Sequence, residues 1–295
     1  MDKRNKAIIM LALAAVLWST GGILIKLVEW NSIAIAGVRS GISAILMLVY
    51  LKYMRKKNTG SSKLNIKLTK VKLIGACIYA STVILFVVAN KLTSSANVIL
   101  LQYTAPIWVA VFSGLVLNEK VRKADWTSIV CVMFGMGLFF VGDIEKGEML
   151  GNIFAALSGL SLAGVILTLK LQEDGTAVEM TFIGNGITFL IGIPFMLLSI
   201  PSLTSILGLI LLGVFQLGLA YILFAESVKH VSAVEAILVP VIEPLLNPVW
   251  VFVFAGETPK IMAVIGGTIV VLSVVIRSVY TSMNDKKVKS KNLVC

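Results

Sequence analysis

One apolar run, AILVPVIEPLLNPVWVFVF from Ala236 to Phe254, holds the side chains of this sequence best placed to do chemistry. It carries Glu243, Asn247 and three prolines, Pro240, Pro244 and Pro248. Counted as a helix, the prolines recur every four residues and line one face, where each removes a backbone donor and frees the carbonyl four residues earlier, those of Ala236, Pro240 and Pro244. Beside that face Glu235, Glu243 and Asn247 stand at i, i+8 and i+12 as a polar stripe. An acid beside freed carbonyls can pair with a cationic group or hold a proton, and the carbonyls can accept hydrogen bonds. Little else offers reactivity. His230, the lone histidine, adjoins Lys229 and reads as a solvated loop residue. GLSLAG around Ser161 only loosely echoes a serine nucleophile motif, and H-E-x-x-H does not occur. Cys77, Cys131 and Cys295 have neither metal-type nor C-x-x-C spacing. No catalytic residue, metal site or cofactor is therefore expected, and the chain is not read as an enzyme.

The elements that must position these residues follow from composition. Hydrophobic residues make up 58% of the chain and charged ones 14%, against about a quarter charged in soluble domains, so the solvent of the fold is a bilayer. Ten apolar segments are long enough to cross about 30 Å of hydrocarbon. They lie near 7–28, 33–52, 71–90, 95–117, 125–142, 149–171, 178–199, 203–228, 232–254 and 261–281. With the first end inside, Lys3, Arg4, Lys6, the basic stretch Lys52–Lys72, Lys120, Arg122, Lys123, Lys170, Lys229, Arg277 and the tail lysines are cytoplasmic, and Lys91, Lys146 and Lys260 fall outside. That asymmetry predicts both termini in the cytoplasm. The net charge of +11 is thus a topology signal, and since the charges are not interleaved with aromatic residues beyond Tyr53, nucleic acid is not an expected partner.

The sequence also repeats itself. KLTSSANVILLQYTAPIWVAVFSGLVLNE, Lys91 to Glu119, aligns without a gap on KHVSAVEAILVPVIEPLLNPVWVFVFAGE, Lys229 to Glu257. Ser94 meets Ser232, Asn97 meets Glu235, Ala105 meets Glu243 and Pro106 meets Pro244. Five spans, an odd number, separate the copies, so the halves are inverted, an arrangement that builds a midplane site open alternately to either side. The stretches LLQYTAPIWVAVFSGLVLNE and AVEAILVPVIEPLLNPVWVFVFAGE, with LALAAVLWSTGGILIK at the start, resemble EamA-type transporters of the drug/metabolite transporter superfamily. The resemblance implies an all-α integral membrane protein of ten helices in two inverted five-helix repeats, 1–146 and 147–295, the second with a short basic tail. It also implies a central cavity and export or exchange of small metabolites. The clearest departure is Ala105-Pro106 where the second half has Glu243-Pro244.

On that frame the expected substrate-binding residues are Glu243, Trp18, Tyr79, Asn97, Gln102, Tyr103, Asn185, Tyr221, Glu235 and Asn247, with helix breaks at Pro106, Pro240, Pro244 and Pro248. As a lone lipid-facing helix the ninth segment would be marginal, because a helix-interior proline costs up to about 3 kcal/mol and a central acid about 2.5 to 3.5. Protein or water must surround it. Trp18, Tyr79 and Tyr103 with Glu243 could box a cation or an ammonium group. Two readings of Glu243 stand side by side: a substrate or proton group, and a carboxyl that stabilises the prolyl bend. Lys26 and Arg39 lie toward the outer side, where snorkelling accounts for both and an ion pair or a substrate carboxylate is the sharper reading of Arg39. The function expected is alternating-access secondary transport of amino acids, amines or related compounds, with a non-transporting scaffold or a channel as the alternative. Expected partners are the substrate, membrane lipids and protons, in a monomer or homodimer in a bacterial plasma membrane.

Overall fold

A computed structural model describes residues 2–60, 66–139, 149–172, 176–246 and 261–291. Among them every regular element is a helix. In chain order these are α1 (Lys3–Trp18), α2 (Gly21–Leu27), α3 (Ser32–Thr59), α4 (Lys70–Leu92), α5 (Ser95–Gln102), α6 (Ala105–Val116), α7 (Lys123–Phe139), α8 (Met149–Leu171) and α9 (Ala177–Met196). The chain continues through α10 (Leu203–Leu211), a π-helical segment (Leu212–Leu219), α11 (Ala220–Val228), α12 (Ala233–Leu238), a 3₁₀ turn (Val239–Val241), α13 (242–246) and α14 (Ile261–Lys291).

Among the described residues seven spans are long and apolar enough to cross a membrane: Lys3–Leu27, Ser32–Thr59, Lys70–Leu92, Asn97–Val116, Met149–Leu171, Ala177–Met196 and Leu203–Val228. Of the remaining expected spans, α7 is 17 residues long, α14 carries the shorter apolar stretch Val264–Arg277, and the ninth is described only as far as residue 246. Large apolar side chains such as Leu115, Leu190 and Leu207 face outward, as a lipid-embedded bundle requires. Polar caps set the helix starts: Asn31 accepts from the Ile33 and Ala34 amides, Ser94 from Asn97, Ser202 from Ser205, and Ser232 with Glu235 forms a reciprocal capping box. α3 runs beyond its expected end because Lys52 to Lys57 continue the helix until Gly60 takes the left-handed C-cap, φ 73°.

Breaks fall beside Pro106 and Pro240, while Pro194 lies within an unbroken α9, and a further break falls where there is no proline. α5 and α6 part at Tyr103–Thr104 just before Pro106, and the ninth span tightens into the 3₁₀ turn at Val239–Val241. The first span breaks at Ser19 and Thr20, whose hydroxyls donate back to the Val16 and Leu17 carbonyls.

Packing pairs the halves. α4 lies on α8 and α1 on α11; α4 lies on α9 and α3 on the π segment; α5 lies on α8 and α1 on the 3₁₀ turn; α3 lies on its counterpart α9 and α7 on its counterpart α14. Exchanging each span for its counterpart in the other half leaves this set of neighbours unchanged, the relation expected of a pseudo-two-fold. Close approach of α3 and α9 depends on glycine: a Cβ on Gly37 would stand 2.8 Å from the Gly192 Cα.

Candidate functional site

Pro244 has no amide hydrogen, so the carbonyl of Pro240 lacks its i+4 helical donor and within the segment is reached only by the Ile242 amide of the tight turn. A side-chain donor comes from the other half. The Tyr103 hydroxyl, at the break of the equivalent span, stands 2.7 Å from the Pro240 carbonyl and 2.9 Å from Glu243 Oε2. One proton serves two acceptors. When Tyr103 donates to Pro240, its contact with Glu243 requires a proton on the carboxyl; when Glu243 is ionised, the tyrosine proton turns to the carboxylate and Pro240 keeps only the Ile242 amide. The protonation of Glu243 is thereby tied to the hydrogen bonding of the helix break.

Glu243 and Tyr103 form part of the wall of a cavity of about 50 Å³ between the halves. Trp18, Gln102, Tyr221 and Pro240 line it too, with Arg39 and Gln216. Its aromatic side is a cluster in which Trp18 meets Tyr221 at 5.0 Å between ring centroids and Phe224 at 5.1 Å. The volume suits a few waters, so a metabolite enters only with a change of helix packing.

Of the ten expected substrate residues, Glu243, Trp18, Gln102, Tyr103 and Tyr221 meet in this cavity. Tyr79 and Asn185 form a layer behind it: Asn185 Nδ2 donates to the Tyr79 hydroxyl at 2.9 Å, and the Tyr79 ring packs edge-on against Tyr221 at 4.8 Å. Asn97 and Glu235 lie away from the cavity, at the starts of α5 and α12. Asn97 donates to the Thr93 hydroxyl at 3.1 Å. Glu235 is paired with Arg4 and stands 3.5 Å from Arg277, which in turn holds Asp125 at 2.7 Å. Pro106 and Pro244 are both buried, and Asn247 and Pro248 lie outside the described residues.

At each end of the bundle a lysine ties a span to the start of a broken helix. Lys26 Nζ donates to the Thr93 carbonyl at 2.9 Å, and Lys170 Nζ to the Val231 carbonyl at 2.6 Å. Thr93 and Val231 are equivalent positions in the gapless alignment, so the two clamps are counterparts at opposite ends. The second is reinforced: Lys170 also pairs with Glu119 at 2.9 Å, and Glu119 accepts from the Ala233 amide at 3.1 Å.

Arg39 departs most from expectation. Instead of snorkelling to an interface it is 1% exposed, lines the cavity, and donates from Nη1 to Gln216 Oε1 at 3.1 Å. Gln216, which the sequence reading did not single out, is brought there by the π segment, a distortion often found at functional sites. The signal for Arg39 was present in its neighbours. Gly37 and Gly41 press against Gly192 and Phe189 of α9, which turns Arg39, two residues from each, to the opposite face.

The model of the EamA-like transporter family matches residues 5–141 and again 149–279. An uncharacterized transporter of Archaeoglobus fulgidus is 26% identical over 90% of this chain and 94% of its own. The pseudopaline exporter CntI of Pseudomonas aeruginosa is 23% identical over 92% of this chain and 96% of its own. One crystal structure superposes with a TM-score of 0.79 at 15% identity, covering 94% of this chain and 98% of that one, which shows the shared fold.

Proposed function

Because the chain belongs to the EamA-like transporter family of the drug/metabolite transporter superfamily, we propose that it moves small metabolites by alternating access through the cavity between its two halves. The observation that carries this is the meeting of two pseudo-equivalent helix breaks at one mainly apolar cavity between the halves, with Tyr103 from the first bound to Pro240 and Glu243 of the second. A scaffold gains nothing from keeping a carboxyl and a guanidinium inside a membrane bundle. A channel needs no clamp at each end.

The substrates proposed are amino acids, amines or related compounds, moved by export or exchange; a relative that bears the name exporter favours that direction. Glu243 is the proposed coupling group, because its proton decides which acceptor Tyr103 serves. The repeats are taken as 1–146 and 147–295, in a monomer or homodimer. Both termini are placed in the cytoplasm of a bacterial cell on the basic-residue asymmetry, which puts the Lys26 clamp outside and the Lys170 clamp inside.

Proteoliposome counterflow tests the carrier reading: exchange that saturates with a small metabolite supports it, and absence of exchange with every amino acid, amine, nucleoside and sugar offered supports the scaffold. Orientation is read separately. A cysteine at position 60 should react with an impermeant reagent from the cytoplasmic side alone, and labelling from outside reverses the assignment.

A further inference from the structure

Two buried donors in the cavity wall have no partner among the described residues. One is Arg39 Nε, on a guanidinium that is always charged; the other is Trp18 Nε1, on a side chain 8% exposed. Among the described residues the Arg39 head group donates to one acceptor, the neutral amide oxygen of Gln216, and forms no ion pair. A buried charge left so is costly unless a counter-ion arrives. The obvious counter-ion is in the same cavity and does not serve: Glu243 is engaged by Tyr103. The cavity therefore has two separate poles. One offers N–H donors on a fixed positive charge, the other an acceptor carboxyl, and the rings of Trp18, Tyr221 and Phe224 pack together in the wall as an apolar face.

Resting on the carrier reading above, we propose that the ligand is a small zwitterion, its carboxylate held by Arg39 and the Trp18 indole N–H, its ammonium by Glu243, and its side chain laid on the aromatic face. An amine would satisfy Glu243 and leave the Arg39 guanidinium without an anion. A simple carboxylic acid would do the reverse. Either fails to complete a buried polar set, which is how a site rejects an analogue lacking one group. Gln216 is the positioning residue, holding the guanidinium toward the cavity from the π segment.

The test uses the full-length protein and three matched sets of probes: the common α-amino acids, the amines formed from them by decarboxylation, and the acids formed by removing the amino group. Thermal stabilisation in detergent gives binding, and counterflow in proteoliposomes gives exchange. At least one amino acid should act at concentrations tenfold or more below both its amine and its acid. Arg39→Gln should bring its midpoint to that of the amine, while Arg39→Lys retains part of the preference. If Arg39→Gln does not fold, the wild-type comparison decides alone. An amine or an acid as effective as its parent amino acid overturns the proposal, as does the absence of any effective amino acid. In each of these cases saturable exchange of another metabolite leaves the carrier reading standing, and only the loss of all exchange removes both.

Discussion

The starts of the two broken spans, Ser94–Gln102 and Ser232–Pro240, are the same device built twice. Each opens on a serine cap, each is held by a lysine donating to the carbonyl just before it, and each runs toward a buried proline. Their side chains differ. Around the first the described contacts of the cap are neutral, with Asn97, Thr93 and Asn152 linked by hydrogen bonds of 3.1 Å. Around the second they are ionic, with Glu235, Arg4, Arg277 and Asp125 joining four spans and Glu119 with Lys170 beside them. Deeper in, the first has Ala105 where the second has Glu243. On the carrier reading these are two gates of one design made unequal by the charged substitutions: the one nearer Arg4 should close more firmly, and a carboxyl stands only at the second helix break.

The sharpest way to break this comparison is at Glu243. Glu243→Gln keeps volume and hydrogen-bonding capacity and removes the charge, so the fold should survive while initial transport falls at least about tenfold, as loss of a charged hydrogen bond of about 1.5 to 3 kcal/mol requires. Rates should be taken at two pH values, since Glu243 shares the cavity wall with the titratable or charged groups Tyr103, Tyr221 and Arg39. If Glu243 only stabilises the prolyl bend, Glu243→Gln transports normally and Glu243→Ala loses expression. Wild-type-like, pH-dependent transport by Glu243→Gln ends the coupling proposal.

How much of this was legible without coordinates depends on the kind of signal. Spans and breaks were, because hydropathy, proline and an odd-span repeat are one-dimensional patterns and a bilayer leaves few alternatives to the helix. Tyr103 and Glu243 were, because an unusual group deep in a span stands out. Arg39 was named and misplaced: it lies six residues into its expected segment, about 9 Å from the end, a depth from which an arginine commonly snorkels. The packing of α3 against α9 and the π segment removes that route. Asp125 with Arg277 and Lys72 with Glu179, the latter at 2.6 Å, are buried pairs of residues far apart in the chain. Each charge alone looks like a helix-end residue, and no spacing rule joins them. The π segment leaves no mark in the hydropathy pattern.

A second, smaller effect sharpens the contrast of neutral and ionic gates. Glu235→Gln leaves Arg4 without its buried carboxylate and weakens the hold on Arg277, so it should cost about 3 kcal/mol of unfolding free energy, the low end for breaking a buried pair, because Asp125 still compensates Arg277. Asn97→Ala, at the equivalent position, loses a neutral hydrogen bond worth about 1 kcal/mol. Denaturant unfolding of the two variants should preserve that order. Equal losses would mean that the ionic network adds nothing to the gate.

The smallest effect concerns the clamps themselves. Lys26→Met and Lys170→Met each remove one charged donor from a carbonyl at a partly exposed helix end, worth about 1 kcal/mol after solvent screening. That energy is a population shift of roughly fivefold between states open to opposite sides. The matched segments of the family begin at residues 5 and 149, the same separation as Lys26 and Lys170, so equivalent lysines should act in opposite senses. A reporter can be placed at Thr82, which lines the cavity, as Thr82→Cys in a background freed of the native cysteines. Lys26→Met should raise its labelling from the outer side and Lys170→Met from the cytoplasmic side, the latter by less because Glu119 still holds the Ala233 amide. The double variant should bring the ratio of outer to cytoplasmic labelling back toward the wild-type value. Shifts of both single variants toward the same side would show that the two lysines merely anchor helix ends, and that the gates are not counterparts.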